Sequence, residues 1–164
     1  MKLREGFVYV VVYLDWYTRF VVSCQLSTTL EAAFCCEAAK QALTIAIPEI
    51  INVDQGIQFT GEDFISCWDQ EKTRISMDHR GRCFDNIFTE RFWRNLKYEE
   101  VYLKDYLTVK EAEKNIGEYI HRYNYVRLHE SLAYMTPAEL YYGKSAIPFT
   151  RGKFSSGVAR NLVS

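Results

Sequence analysis

Residues 50–59 have the sequence Ile-Ile-Asn-Val-Asp-Gln-Gly-Ile-Gln-Phe, in which an apolar run ends at an acid followed closely by a glycine. The pattern predicts a short buried strand over Ile50–Val53 that ends at Asp54. A second acid, Glu90, lies in residues 85–97, Asp-Asn-Ile-Phe-Thr-Glu-Arg-Phe-Trp-Arg-Asn-Leu-Lys, whose apolar spacing predicts a helix. Carboxylates are ligands that a divalent metal prefers, so one at a strand end and one on a helix can share an ion.

The bulk composition is that of one globular domain. The chain has 164 residues, of which 48% are hydrophobic and 25% charged, which suits a single core. Its five cysteines include no Cys-x-x-Cys spacing, so we expect reduced thiols and no zinc site. The longest apolar run, residues 7–14, is too short to cross a membrane and no signal peptide is present. We therefore expect a cytoplasmic protein with no membrane partner.

Basic residues are concentrated around the second acid. Residues 1–70 carry 4 basic and 9 acidic side chains, whereas residues 72–97 carry 7 basic and 3 acidic ones. A basic stretch beside acids suits a surface that binds phosphates and metal. Charge alone fits a solvated charged face equally well.

The order of predicted elements indicates an α/β fold with a mixed sheet and flanking helices. A hairpin supplies an antiparallel pair, and later strands follow helical crossovers. The domain is expected to span residues 1–144, and residues 145–164 to form a loose tail. The predicted strands cover residues 7–14, 20–26, 50–53 and 74–77. Helices are predicted over 32–45, after a capping box of Thr28 and Glu31, and after capping residues at 60, at 85 or 86, at 108 and at 136. The helix after residue 60 is expected to place Phe64, Ile65 and Trp68 on one face, and the helix after residue 108 has an apolar stripe of Val109, Ala112, Ile116, Tyr119, Ile120 and Tyr123.

Three side chains of the predicted helix share one face. Glu90, Arg94 and Lys97 stand at positions i, i+4 and i+7, while the aromatic and leucine side chains at 88, 92, 93 and 96 can serve the core. A metal-binding carboxylate followed by two cations is what a scissile phosphate and its neighbours require. The simpler alternative is a surface Glu–Arg pair worth a few tenths of a kcal/mol.

Three segments occur in order along the chain. They are Asn-Val-Asp-Gln-Gly-Ile-Gln-Phe-Thr at 52–60, Asp-Asn-Ile-Phe-Thr-Glu-Arg-Phe-Trp-Arg-Asn-Leu-Lys-Tyr-Glu at 85–99 and Tyr-Asn-Tyr-Val-Arg-Leu-His-Glu-Ser-Leu-Ala-Tyr-Met-Thr-Pro-Ala-Glu at 123–139. Together they resemble the integrase core of bacterial insertion-sequence transposases of the IS-three family, which are kin to retroviral integrases. Asp54 and Glu90 are separated by 35 residues, the same separation as in that family.

The resemblance implies a ribonuclease H-like fold and metal-dependent phosphodiester hydrolysis and strand transfer on DNA. Asp54 and Glu90 would be the second and third catalytic acids, which with a first acid hold two Mg²⁺ or Mn²⁺ ions. The implied DNA-binding residues are Lys97, which matches the family's contact to the transposon end, together with Arg94, Arg80 and Arg82. Implied partners are transposon-end and target DNA, with association to the nucleoid, and a second copy of the chain or an intact transposase.

Two features depart from the family pattern. The first catalytic acid lies on the first strand in relatives, ahead of the segment that corresponds here to Gly-Phe-Val-Tyr at 6–9. We therefore expect that acid to precede Met1, the central first strand to be missing, and the chain to be inactive alone. Asp15 is a candidate for a substitute acid, but its expected role is to shape the hairpin turn. Arg127 and His129 match the family's terminal motif with a leucine in place of proline, and a structural role is expected for His129.

Two alternatives remain open at the level of sequence. The chain can be a non-catalytic DNA-binding remnant that interferes with or partners an intact transposase. It can also be an α/β domain without a nucleic-acid role, in which case Asp54→Asn or Glu90→Gln would change no DNA interaction.

Overall fold

The computed structural model describes residues 1–4, 6–53, 56–77 and 87–143. Its strands are β1 (Lys2–Leu3), β2 (Gly6–Phe7), β3 (Tyr9–Leu14), β4 (Val21–Ser27), β5 (Ile50–Val53) and β6 (Arg74–Met77). Its helices are α1 (Ala32–Leu43), α2 (Ile57–Thr60), α3 (Glu62–Asp69), α4 (Ile87–Leu96), α5 (Val109–Tyr125) and α6 (Pro137–Tyr142). A π-helix (Lys97–Val101) extends α4, and a 3-10 turn (Glu130–Leu132) precedes α6. The expected tail at 145–164 lies outside the described residues.

The strands form a mixed set of ladders. β3 and β4 make an antiparallel hairpin, whereas β5 and β6 pair in parallel with α2 and α3 as their crossover, which confirms the predicted α/β arrangement. Within the described residues no ladder joins β3–β4 to β5–β6. The first residues form a two-residue antiparallel ladder, β1–β2.

The strand predicted over residues 7–14 is interrupted at Val8. β2 ends at Phe7 and β3 begins at Tyr9, while Val8 is fully buried and its N–H donates to the Met1 carbonyl at 2.8 Å. The apolar composition of the stretch gave no sign of this break, because both halves have the same strand-forming residues.

The hairpin buries both of its faces, as its continuous apolar composition predicts. Val11 and Tyr13 of β3 pack in a cluster with α1, α3 and β5, whereas Val10 and Val12 face a second cluster built from α4 and α5. On α1 the side chains that meet the sheet are small and buried, namely Cys35, Cys36, Ala38, Ala39 and Ala42. Small residues let the helix axis approach the strands closely, so α1 lies against both ladders.

Three local predictions were wrong. Thr60 does not cap α3: it is the last residue of α2, and the N-cap of α3 is Gly61 without a side-chain cap. The capping box expected at Thr28 and Glu31 is not formed: Glu31 is the N-cap of α1 without a side-chain cap, and the chain before it turns through a bond from the Thr29 N–H to the Ser27 hydroxyl at 3.1 Å. Ile65 of α3 is also exposed, although Phe64 and Trp68 are buried as predicted. Phe64 and Trp68 are four positions apart and share a face, whereas Ile65 is rotated by about 100°.

The last two helices begin as their sequences predict. Thr108 caps α5, and its hydroxyl accepts from the Glu111 N–H at 3.2 Å. Thr136 forms a complete capping box with Glu139 at the start of α6. The predicted stripe of α5 is buried, including Ala112, Ile116, Tyr119, Ile120 and Tyr123. Among the described residues, no helix has the length and apolar character needed to cross a membrane.

Candidate metal and nucleic-acid site

Helix α4, together with the first residue of the π-helix that extends it, presents the three predicted side chains to solvent. We refer to this surface, which includes Lys97, as the exposed face of α4. Phe92 and Leu96 are buried at 1% and 2% exposure against α5, which fixes how the helix is rotated. Glu90, Arg94 and Lys97 are all exposed, as expected for residues on the opposite side of the helix. The structure therefore brings these three predicted site residues together along one exposed helix face.

The surface ion pair that would explain this face more simply is not formed. Glu90 and Arg94 are both described, and no salt bridge or hydrogen bond joins their side chains. The Glu90 carboxylate keeps its oxygens available to a cation, and Arg94 keeps its N–H donors available to an anion. The face has the donor and acceptor chemistry expected of a metal and phosphate site.

Other predicted site residues lie outside the described residues. Asp54 follows Val53, the last residue of β5, which pairs with Met77 of β6. Arg80 and Arg82 belong to the stretch 78–86, which is likewise outside. Within the described residues no group of three or more His, Cys, Asp or Glu side chains could hold a metal ion. The roles given to Asp54, Arg80 and Arg82 remain predictions.

Asp15 shapes the hairpin turn, as its sequence context predicts. Its carboxylate accepts from the Thr18 N–H at 2.8 Å and from the Thr18 hydroxyl, and its carbonyl accepts from the Arg19 N–H at 2.8 Å. Thr18 is buried and Arg19 has a left-handed φ of 66°. These bonds hold the tight turn between β3 and β4 and engage one carboxylate oxygen, Oδ2.

The terminal motif, Arg127 and His129, contacts the π-helix that extends α4 and the end of α5. Arg127 forms an ion pair with Glu99 at 2.5 Å, and the Tyr119 hydroxyl donates to the same carboxylate at 3.4 Å. The His129 ring packs edge-on against Tyr123 at 4.9 Å between ring centroids. Burial, and next the positive charge of Arg127, lower the pKa of His129, so the imidazole is neutral at neutral pH. These contacts fit the structural role expected for His129.

One residue beside α4 was not anticipated from the sequence. The Arg19 guanidinium lies 3.3 Å from the centroid of the Phe88 ring, so Phe88 serves as a stacking surface and does not join the buried core as predicted. The contact ties the hairpin turn to the first turn of α4, two residues before Glu90. A basic residue in a turn carries no local signal for such a contact, since its partner lies far along the chain.

Comparison with known proteins identifies the family of this chain. The integrase core domain family matches residues 1–83, and a second integrase core domain family matches residues 71–137. The chain belongs to the integrase core domain family. The two matches together take in β1 to α5 and all three segments of the resemblance, so the predicted resemblance is confirmed.

Curated relatives of this integrase core are transposases of bacterial insertion sequences. The chain is 30% identical over 140 residues to the transposase for insertion sequence element IS904 of Lactococcus lactis, which covers 83% of this chain and 55% of that protein. It is 27% identical over 143 residues to transposase InsF for insertion sequence IS3A of Escherichia coli, covering 85% of this chain and 50% of that protein. The chain thus spans about half the length of the curated relatives it matches.

Solved structures with the same fold are retroviral integrase cores. The HTLV-2 integrase catalytic core domain in complex with magnesium superposes with a TM-score of 0.67 at 16% identity, covering 87% of this chain and 90% of that one. A chain of the simian T-cell lymphotropic virus intasome superposes with a TM-score of 0.73 at 15% identity, covering 93% of this chain and 55% of that one. The predicted ribonuclease H-like fold is confirmed by these likenesses.

Proposed function

We propose that this integrase core acts on DNA as part of a transposition reaction of an insertion sequence, with a divalent metal held by Asp54 and Glu90. The observation that carries the proposal is the exposed face of α4, on which Glu90, Arg94 and Lys97 are free of pairing with one another. The transposases of IS904 and IS3A support the reaction class, and a magnesium-containing HTLV-2 core supports the metal.

The chemistry of the donor set fits Mg²⁺ or Mn²⁺. Both predicted ligands are carboxylates, which these hard cations prefer over nitrogen and sulfur ligands. Glu90 is exposed on a helix whose other side is buried, so the carboxylate is accessible while its backbone is held. A bound divalent ion would supply Lewis-acid stabilisation of charge at the scissile phosphate.

Arg94 and Lys97 would position the DNA strand. They stand about 6 Å and about 10 Å from Glu90 along the helix axis, since each residue rises by about 1.5 Å. An arginine and a lysine at these distances can contact phosphates neighbouring the one at the acid, and such contacts fix the register of the strand without reading its sequence. Strand placement relative to the metal is then set by one rigid helix.

Metal and DNA binding by the full chain test the proposal separately. Calorimetric titration with Mn²⁺ should show binding that Glu90→Gln weakens at least about tenfold, because the amide removes the ligand charge. Fluorescence anisotropy with a labelled transposon-end duplex should show that Arg94→Gln with Lys97→Gln lowers the slope of log K against log salt by about 1.8, for two lost phosphate contacts. Lys110→Gln, an exposed lysine on α5, is the matched control.

The outcomes separate the competing functions. If Glu90→Gln leaves the Mn²⁺ affinity unchanged and the double variant leaves DNA binding unchanged, the proposal is refuted and a domain without a nucleic-acid role is favoured. DNA binding that depends on Arg94 and Lys97 without any Glu90-dependent metal binding would instead indicate a non-catalytic DNA-binding protein. An oligomer on DNA, with a second copy or with an intact transposase, would appear as a larger complex in light scattering.

A further inference from the structure

Three arginines from separate elements lie near the buried Tyr123. The Arg19 guanidinium of the hairpin turn stacks on Phe88 of α4, Arg91 follows Phe88 by three positions and so shares a side of that helix, and Arg127 after α5 pairs with Glu99 at 2.5 Å. Tyr123 is 4% exposed and packs against Phe92 with ring centroids 5.1 Å apart. We refer to Arg19, Arg91 and Arg127 as the arginine cluster. Its members are 36 and more residues apart in the chain, so the fold alone brings them together.

Arg19 is held in place by its surroundings. Its N–H donates to the Asp15 carbonyl at 2.8 Å, its φ is 66°, and its guanidinium stacks over the Phe88 ring at 3.3 Å. Stacking occupies a face of the planar guanidinium and leaves the N–H groups at its edge available as donors. Arg19 is thus oriented in advance for an acceptor, with little side-chain entropy left to lose.

Glu99 neutralises Arg127 alone among the three arginines of the cluster. Glu99 is engaged by Arg127 and by the Tyr119 hydroxyl, and the Asp15 carboxylate is engaged by Thr18. Neither Arg19 nor Arg91 forms an ion pair with an acid in the described part of the chain. Arg19 and Arg91 are therefore the two members of the cluster whose positive charge favours the binding of an anion.

An open cavity adjoins the cluster. Its volume is about 320 Å³, and it is lined by Glu99, Tyr119, Arg122, Tyr123, Val126 and Arg127. Arg122 is exposed and lies 5.6 Å from the Tyr119 ring centroid. It adds a fourth guanidinium at the side of the cluster, so the basic surface continues from the hairpin turn to the end of α5.

We propose that the arginine cluster binds phosphates of the DNA backbone at a second surface, separate from the face that carries Glu90. Arg91 is rotated by about 100° from Glu90 around α4, so DNA held at both surfaces contacts two flanks of the same helix. A phosphate between Arg19 and Arg91 joins the hairpin turn to α4 and holds the helix in position. The identity of the ligand as DNA rests on the proposed function.

Salt-dependent DNA binding by the full chain tests the second surface. Fluorescence anisotropy on a labelled duplex is measured for Arg91→Gln and for Arg19→Gln with Arg91→Gln, with Lys110→Gln as the matched control. Arg91 is exposed, so its replacement should leave the fold intact, and circular dichroism checks the double variant. We expect the slope of log K against log salt to fall by about 0.9 per lost phosphate contact and the affinity to fall about three- to tenfold per arginine near 0.1 M salt.

The results distinguish this inference from the proposed function. An unchanged slope in the Arg91 variants, with a reduced slope for Arg94→Gln with Lys97→Gln, would overturn the second surface and leave the function standing. Unchanged slopes in both sets would overturn both proposals. Inorganic phosphate could raise the melting temperature of the wild type but not of Arg91→Gln, while the DNA affinity is the same for both. In that case the cluster binds small phosphates and the DNA assignment is wrong.

Discussion

Asn124 links α5 to the hairpin through two hydrogen bonds. We expect its replacement to be among the substitutions that lower the stability of the fold most. Its side-chain oxygen accepts from the Val21 N–H at 2.9 Å, and its side-chain N–H donates to the Val21 carbonyl at 2.9 Å. Both residues are 3% exposed, so water cannot replace the lost partner. Asn124→Ala leaves two buried backbone groups unsatisfied.

The size of the effect follows from those two groups. Each buried polar group without a partner costs about 1–3 kcal/mol, so we expect Asn124→Ala to lower the free energy of unfolding by about 2–6 kcal/mol for the two groups. With an m-value of about 2 kcal/mol/M in urea, the unfolding midpoint should fall by about 1–3 M. Urea unfolding followed by circular dichroism measures this shift.

Asn115, on the same helix, is the matched control. It also makes two side-chain hydrogen bonds, with Lys104 at 2.7 Å and with the Glu111 carbonyl at 2.8 Å, but it is in an exposed position. Asn115→Ala should cost less than about 1 kcal/mol because water takes over its partners. A loss below about 0.5 kcal/mol for Asn124→Ala, or equal losses for the two variants, would refute the argument that buried backbone groups decide the effect.

Two further predictions concern titration and the hairpin turn. The pKa of His129 lies below its ordinary value of 6.5, first through burial and then through Arg127, so the unfolded chain takes up this proton at higher pH than the folded chain. The stabilising contribution is therefore present above pH 6.5 and is lost as pH falls below it. His129→Gln should reduce the change in urea midpoint between about pH 7.5 and about pH 5.5. A change in midpoint as large as that of the wild type would contradict this. Asp15→Ala should cost about 1–2 kcal/mol, as loss of a side-chain cap does, without changing the Mn²⁺ affinity that Glu90→Gln lowers. Weaker Mn²⁺ binding in Asp15→Ala, measured by calorimetry, would show that Asp15 approaches the metal after all.

Local patterns made much of the fold predictable. The caps at Thr108 and Thr136 and the buried stripe of α5 were correct, because each depends on residues within a few positions of one another. The exposed face of α4 was predictable for the same reason, since Phe92 and Leu96 determine its opposite side. The capping box predicted at Thr28 does not form, because the chain after β4 turns through the Ser27 hydroxyl before α1 begins.

Contacts between distant segments were not predictable. The bond between Asn124 and Val21 joins residues 103 positions apart, and no periodicity marks either partner. The same applies to Arg19 and Phe88, whose stacking turns a presumed core aromatic into support for a cation. The sequence predicts which side chains can do chemistry, whereas their convergence around Tyr123 depends on tertiary packing.

The packing of α1 has a consequence for how β5 and the hairpin are held apart. In the described structure these two elements meet through side-chain packing, to which Cys35, Ala38 and Ala39 of α1 contribute, and not through a shared ladder. Dispersion forces depend weakly on direction, whereas a hydrogen-bonded ladder fixes both register and spacing. The spacing between β5 and the hairpin is therefore governed by core volume, and one added methyl group on α1 acts on the distance between two elements to which α1 does not belong.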